Sequence, residues 1–229
     1  MKKLLTLLLA VCAITLISCK KDKDNPVEPK KFTKLVKTVK EGTRTETFTY
    51  DDQQRMIRRE TTPSNYKTFE YDGNTIRARS VSGVMTNVAE VEIENGVMTN
   101  AYAINRTQRT LAETYKYDAQ GYLVSSTPVG GDAYLFTWTD GNMTKETSGE
   151  SFRSYTYGSE PSLVNYNFTL GALINGFEGK TNANLVKSAS YSRGAMTSFA
   201  YELDADGCPI KITANRDGMI AYTTEITYY

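Results

Sequence analysis

The stretch Tyr115-Lys116-Tyr117-Asp118-Ala119-Gln120-Gly121-Tyr122-Leu123-Val124 decides the fold. Aromatic Tyr115 and Tyr117 alternate with Lys116 before Asp118-Ala119-Gln120-Gly121, and Tyr122-Leu123-Val124 follow it. An Asp at the head of a type I turn accepts local backbone hydrogen bonds, and a Gly three residues on takes the left-handed conformation that closes an antiparallel hairpin. The same grammar returns at Tyr201-Glu202-Leu203-Asp204-Ala205-Asp206-Gly207 and, without the glycine, at Phe48-Thr49-Tyr50-Asp51-Asp52-Gln53-Gln54. Two-residue turn signals stand between these copies at Asp72-Gly73, Asn95-Gly96, Asp140-Gly141 and Asp217-Gly218. Each adjoins residues that alternate with period two, such as Phe69 and Tyr71, Val91 and Ile93, and Phe136 and Trp138. Period two puts one set of side chains on a buried face and the other in solvent.

Seven hairpin signals predict one mostly antiparallel β domain over residues 32–229, a meander of about ten or more strands. A sheet of that extent does not stay flat, so the expectation is a strongly curved open sheet or half-barrel. One segment, at about 161–187, breaks the pattern. Asn167 is placed to cap, Leu170, Leu173 and Ile174 follow helical spacing, and Asn175-Gly176 terminates, which predicts one short helix near 168–175 plugging the concave side.

Composition excludes much chemistry. The 229 residues contain no histidine, so imidazole triads, His-ligated metals and histidine pH switches are absent. With 27 basic and 26 acidic side chains, the charge balance points to no nucleic-acid partner. Tyrosine, at 16 residues, is in surplus.

The first residues read as an address. Lys2 and Lys3 precede an apolar run from Leu4 to Ile17, the length of a signal peptide and short for a bilayer span. Leu16-Ile17-Ser18-Cys19 resembles a lipobox, which implies cleavage after residue 18 and lipidation of Cys19. Residues 19–31, rich in charge and proline, form a lipidated tether of roughly 40 Å when extended. The expected location is the outer membrane, facing periplasm or cell surface, with the membrane a partner through the N-terminal lipid. Cys12 leaves with the signal, so Cys208 has no disulfide partner and reads as a buried structural thiol.

The pattern of aromatic, Asp, two variable residues, Gly and aliphatic resembles degenerate YD repeats. The later part, LGALINGFEGKTNANLVKSASY followed by FAYELDADGCPIKIT, resembles the Bacteroidetes lipoprotein family named domain of unknown function 4595. That resemblance implies a secreted antiparallel β-protein of unassigned activity and supplies no catalytic residues.

No motif selects an active site. Asp204, Asp206 and Gly207 lack the Glu that a calcium loop needs six residues after its Gly, because Thr213 stands there. Most Asp residues are explained by turns, so no carboxylate pair is singled out for glycoside hydrolysis. Gly130-Gly131 lacks the flanking strand and helix of a phosphate cradle. No cofactor, metal or catalytic residue is predicted. The function expected is a non-catalytic envelope binding module, monomeric, for a glycan, peptide or envelope protein. A hydrolase using a carboxylate pair and a half-barrel carrier of apolar ligands are the alternatives. Tyr115 and Tyr117, on one strand face, with Tyr122 and Trp138 across the turns, are the candidate ligand contacts, because such rings join a large apolar face to a polar tip.

Overall fold

The computed structural model describes residues 34–164 and 176–229. The expected signal peptide, the tether with its lipidation site Cys19, and the helix expected near 168–175 lie outside the described residues.

Sixteen strands are present among the described residues: β1 (Val36–Glu41), β2 (Arg44–Tyr50), β3 (Met56–Thr62), β4 (Asn65–Asp72), β5 (Thr75–Ser82), β6 (Met85–Glu94), β7 (Val97–Asn105), β8 (Gln108–Tyr117), β9 (Leu123–Pro128), β10 (Tyr134–Thr139), β11 (Asn142–Ser148), β12 (Ser151–Pro161), β13 (Asn184–Tyr191), β14 (Met196–Leu203), β15 (Pro209–Arg216) and β16 (Met219–Tyr228). Each pairs antiparallel with its neighbours in sequence, and β16 returns to pair with β1. The result is a closed barrel, which corrects the expected open sheet or half-barrel, and no helix occurs among the described residues. Closure rests on the β1–β16 ladder, where Val39 faces Ile226 and Lys40 faces Glu225, with Lys40 Nζ 3.2 Å from the Glu225 carboxylate. Turn chemistry is local and carries no information about that long-range pairing.

Six of the seven turn signals, those at residues 51–54, 72–73, 95–96, 118–121, 140–141 and 204–207, lie at one end of the barrel, where Lys34 and Tyr229 also sit. We call this end the floor and the other the mouth. The three Asp-headed floor turns share one geometry. Asp51, Asp118 and Asp204 each accept two backbone N–H bonds through Oδ1, from Gln53 and Arg55, Gln120 and Tyr122, and Asp206 and Cys208. Their fourth residues, Gln54, Gly121 and Gly207, have φ of 64°, 88° and 81°. Asn95-Gly96, Asp140-Gly141 and Asp217-Gly218 have positive φ at both positions, as a type I′ turn requires. In the Asp72-Gly73 hairpin Asp72 pairs with Thr75, so the loop is Gly73-Asn74, with Gly73 first at φ 54°.

Inward faces follow from register. At the floor, even-numbered strands end in Tyr50, Tyr71, Ile93, Tyr117, Trp138, Tyr157, Tyr201 and Tyr228, while odd-numbered strands present Val36, Met56, Ile76, Met98, Leu123 and Met143. Ile93 on β6 aside, aromatic ends of the even-numbered strands thus alternate with aliphatic residues of β1 to β11 and make the core. The floor is completed by residues 176–183. Phe177, 2% exposed, packs against Tyr71 at 6.0 Å and its carbonyl accepts from Met98 N. Lys180 N donates to Gly121 O, and Ala183 N to Gly141 O. Gly179 is obligatory, since a Cβ there would lie 2.6 Å from Gly121 O. Nearer the mouth the inward residues become polar. Glu46, for example, is buried and takes Arg59 Nη2 at 2.8 Å.

The outward face is predominantly polar and charged, with Leu111, Leu135 and Phe152 as exposed apolar exceptions. It carries Arg58 and Glu60 on β3, Glu70 on β4, Arg77 and Arg79 on β5, Glu90 and Glu92 on β6, Arg109 on β8, Lys145 on β11, Lys211 on β15 and Glu225 on β16. Arg109 bridges Glu90 and Glu92 at 2.7 Å each and stacks over Tyr102. A bilayer-spanning barrel instead shows an outward apolar band about 25 Å tall, into which each Arg or Lys costs about 2–4 kcal/mol near the midplane. This barrel is turned the other way, with its apolar face inward.

Candidate functional site

Five aromatic strand ends hold the wall together where backbone ladders stop. Tyr71 Oη donates to Met56 O at 2.7 Å, Trp138 Nε1 to Leu123 O at 2.7 Å, Tyr157 Oη to Met143 O at 2.5 Å, Tyr201 Oη to Val186 O at 2.7 Å and Tyr228 Oη to Pro209 O at 2.7 Å. In each pair the two strands are joined at the mouth and separate toward the floor, leaving a carbonyl that the side chain satisfies. Four of the sixteen tyrosines serve in this way.

Two ladders separate early. Strands β9 and β10 pair only at Ser125–Ser126 with Tyr134–Leu135, and β13 and β14 only at Ser188–Ser190 with Met196–Ser198. Beside the second seam the described residues do not fill the barrel. A cavity of about 130 Å³ lies inside β12–β16, its walls including Arg153, Tyr155, Tyr191, Phe199, Tyr201 and Tyr222. The floor segment contributes Ser162, Val164, Thr181 and Asn182. A cleft of about 520 Å³ opens in the wall between β13 and β14, and Leu185, Val186, Phe199 and Tyr201 border both spaces. The Tyr201–Val186 hydrogen bond therefore spans the opening between cleft and cavity.

The cavity combines ring faces with uncharged hydrogen-bonding groups. Tyr155 and Tyr201 hold their phenolic protons well above the usual range, chiefly through burial, reinforced at Tyr155 by the Glu146 carboxylate and at Tyr201 by Tyr222. Burial also raises Tyr222, with Glu41 adding to the effect. Among the described residues lining the cavity there is no Asp or Glu. Arg153 is the charge at its wall, with Glu146 at 3.7 Å and the Tyr191 ring at 5.6 Å. No group of metal-ligating side chains occurs among the described residues.

The residues singled out from sequence lie elsewhere, around β8–β10. Tyr117, Tyr122, Leu123 and Trp138 come together at the floor, with Tyr122 stacked on Trp138 at 4.6 Å and 29°. Tyr115 is buried and donates to Glu113 Oε2 at 2.9 Å, and Glu113 also accepts from Ser126 Oγ. Trp138 is half-buried, its N–H taken by Leu123 O. The hydroxyl of Tyr117 is buried without a hydrogen-bond partner among the described residues. Cys208 is buried, and burial pushes its thiol up. The cavity residues were not separable from sequence, because Tyr155, Tyr191, Phe199 and Tyr201 obey the same alternation as the packed rings. What distinguishes them is the early end of the β13–β14 ladder.

No family model and no curated protein matches the chain. The fold does have solved counterparts. A porin-like protein from Bacteroides uniformis ATCC 8492 superposes with a TM-score of 0.63 at 17% identity, over 90% of this chain and 100% of that one. A porin-like protein from Bacteroides vulgatus ATCC 8482 gives 0.55 at 14% identity, over 85% and 98%. At these identities the likeness is one of fold.

Proposed function

We propose that this protein is a non-catalytic binding module of the cell envelope, tethered through Cys19, that takes one sugar-like ring of a glycan into the cavity inside β12–β16. The carrying observation is the composition of that cavity: Tyr155, Tyr191, Phe199, Tyr201 and Tyr222 offer ring faces, while Ser162, Thr181, Asn182, Asn184 and Thr224 offer neutral donors and acceptors. Apolar ring faces beside hydroxyl-matching polar groups suit a saccharide, which has an apolar face and an equatorial rim of hydroxyls. A volume on the order of 150 Å³ accommodates one six-membered ring. The polar outer wall supports a barrel bathed in water, with its ligand inside, over a pore through a bilayer. No Asp or Glu is among the described residues lining the cavity, which favours binding over hydrolysis.

Calorimetric titration of the purified protein against a panel of defined neutral and acidic oligosaccharides tests this. Binding that Tyr191→Ala and Phe199→Ala each weaken, with the sugar recovered intact, is the expected result. A panel without a single binder, or sugar recovered cleaved, contradicts the reading.

A further inference from the structure

Building on that reading, we infer that the sugar is acidic and that its carboxylate or sulfate group is held at the mouth side of the cavity by Arg153 and Arg216. Arg153 on β12 pairs in register with Tyr191 on β13, and Arg216 on β15 pairs with Thr197 on β14, so all four face inward at the same end. Both guanidinium carbons lie 5.6 Å from the centre of the Tyr191 ring, hence no more than twice that distance from one another. Two cations that share one ring leave a positively charged rim there, and planar forks of N–H donors match carboxylate and sulfate oxygens.

Local compensation is incomplete. Arg153 has Glu146 only at 3.7 Å, and that carboxylate also accepts the Tyr155 hydroxyl at 3.1 Å. Among the described residues no carboxylate lies within ion-pair distance of Arg216. Thr197, 3% exposed, has a hydroxyl without a hydrogen-bond partner among the described residues. A buried hydroxyl left unpaired is costly in an unliganded protein, and its place in register opposite Arg216 puts one more donor at the same end. The aromatic cavity below receives the ring, and the arginine pair above receives the acid, so the two parts select one molecule.

The test uses tri-galacturonic acid, its fully methyl-esterified form and a sulfated chondroitin disaccharide in calorimetric titrations at two salt concentrations. The acid is expected to bind about tenfold or more tighter than its ester, with an advantage that shrinks as salt is raised. Arg216→Gln, at the exposed rim where folding is not at stake, is expected to remove most of that advantage while leaving the ester unchanged, and Arg153→Gln, in the cavity wall, to weaken the acid more than the ester. Equal affinity for acid and ester overturns the inference and leaves the saccharide reading standing. If none of the three probes binds while other sugars in the wider panel do, the inference again falls alone. If no sugar binds at all, both fall.

Discussion

The hydroxyl of Tyr201 on β14 donates to the carbonyl of Val186 on β13, fifteen residues earlier, across a seam whose backbone ladder has already ended at Ser188 and Ser198. Trp138 reaches Leu123 over the same sequence separation and the same 2.7 Å, where the β9–β10 ladder ends. At Tyr71, Trp138, Tyr157, Tyr201 and Tyr228 the aromatic strand end is therefore a wall fastening as well as a core side chain.

Replacing Tyr201 by Phe keeps the ring and removes the fastening. We expect a loss of about 1 kcal/mol in denaturant unfolding, with faster amide exchange confined to residues 185–187 and 199–203. Tyr71→Phe is expected to cost a similar amount without touching that seam. If exchange in the two variants is indistinguishable, Tyr201 is not a latch.

Gln54 and Arg106 occupy positive φ, 64° and 54°, at positions where the equivalent turns carry Gly121, Gly207, Gly42, Gly83 or Gly149. The Gln54 side-chain oxygen is also buried without a partner among the described residues. Gln54→Gly should stabilise by up to about 1 kcal/mol, the relief of left-handed strain less the entropy of a freer unfolded chain. Conversely, Gly179→Ala should destabilise more than Gly121→Ala, because only the first meets backbone at 2.6 Å. Equilibrium urea unfolding of the three variants decides the order.

Acid should loosen the barrel at two identifiable places. Arg109, Asn100 and Tyr102 hold the Glu92 carboxyl below its ordinary range, and Lys34 with the Cys208 and Asp206 amides does so for Asp204. A carboxyl whose folded pKa is depressed contributes stability above its unfolded pKa and loses it as pH falls through the folded one. The melting temperature should therefore drop below the ordinary carboxylate range, and Asp204→Asn, which keeps an acceptor but cannot titrate, should flatten that drop. An unchanged slope would show that the Lys34–Asp204 pair contributes nothing to folding.

The floor was readable from sequence because its turns use residues with a strong local signature. Asp118-Ala119-Gln120-Gly121 and Asn95-Gly96 state their backbone conformation outright. The mouth was less so: Asp217-Gly218 carries a strong signature there, but other hairpins turn on Gly42-Thr43, Gly83-Val84 and Gly149-Glu150, where a single leading glycine of the type II′ kind is the whole signal, and on Arg106-Thr107, which lacks even that. Closure depends on Val36–Glu41 meeting the chain's last strand, a contact no local pattern encodes. The cavity was hidden for a related reason: Tyr117 and Tyr191 look alike in sequence, and it is the early end of the β13–β14 ladder at Ser188 and Ser198 that leaves space on the Tyr191 side of the barrel.

Trp138 offers a direct check on the floor. Half-buried, stacked on Tyr122 and hydrogen-bonded to Leu123, it should emit at moderately blue-shifted wavelength, and Tyr122→Ala should shift that emission red. Emission like free indole in the parent protein would mean that the β9–β10 seam is open in solution.

The central claim is that this barrel keeps its apolar face inside and its charged face in water. Sedimentation velocity of a lipid-free form beginning at Lys20, in buffer without detergent, tests it most directly. One compact, monodisperse species whose sedimentation is unchanged by added detergent is expected, with no conductance steps when the same sample meets a planar bilayer. Aggregation relieved only by detergent, together with discrete conductance steps, would contradict it.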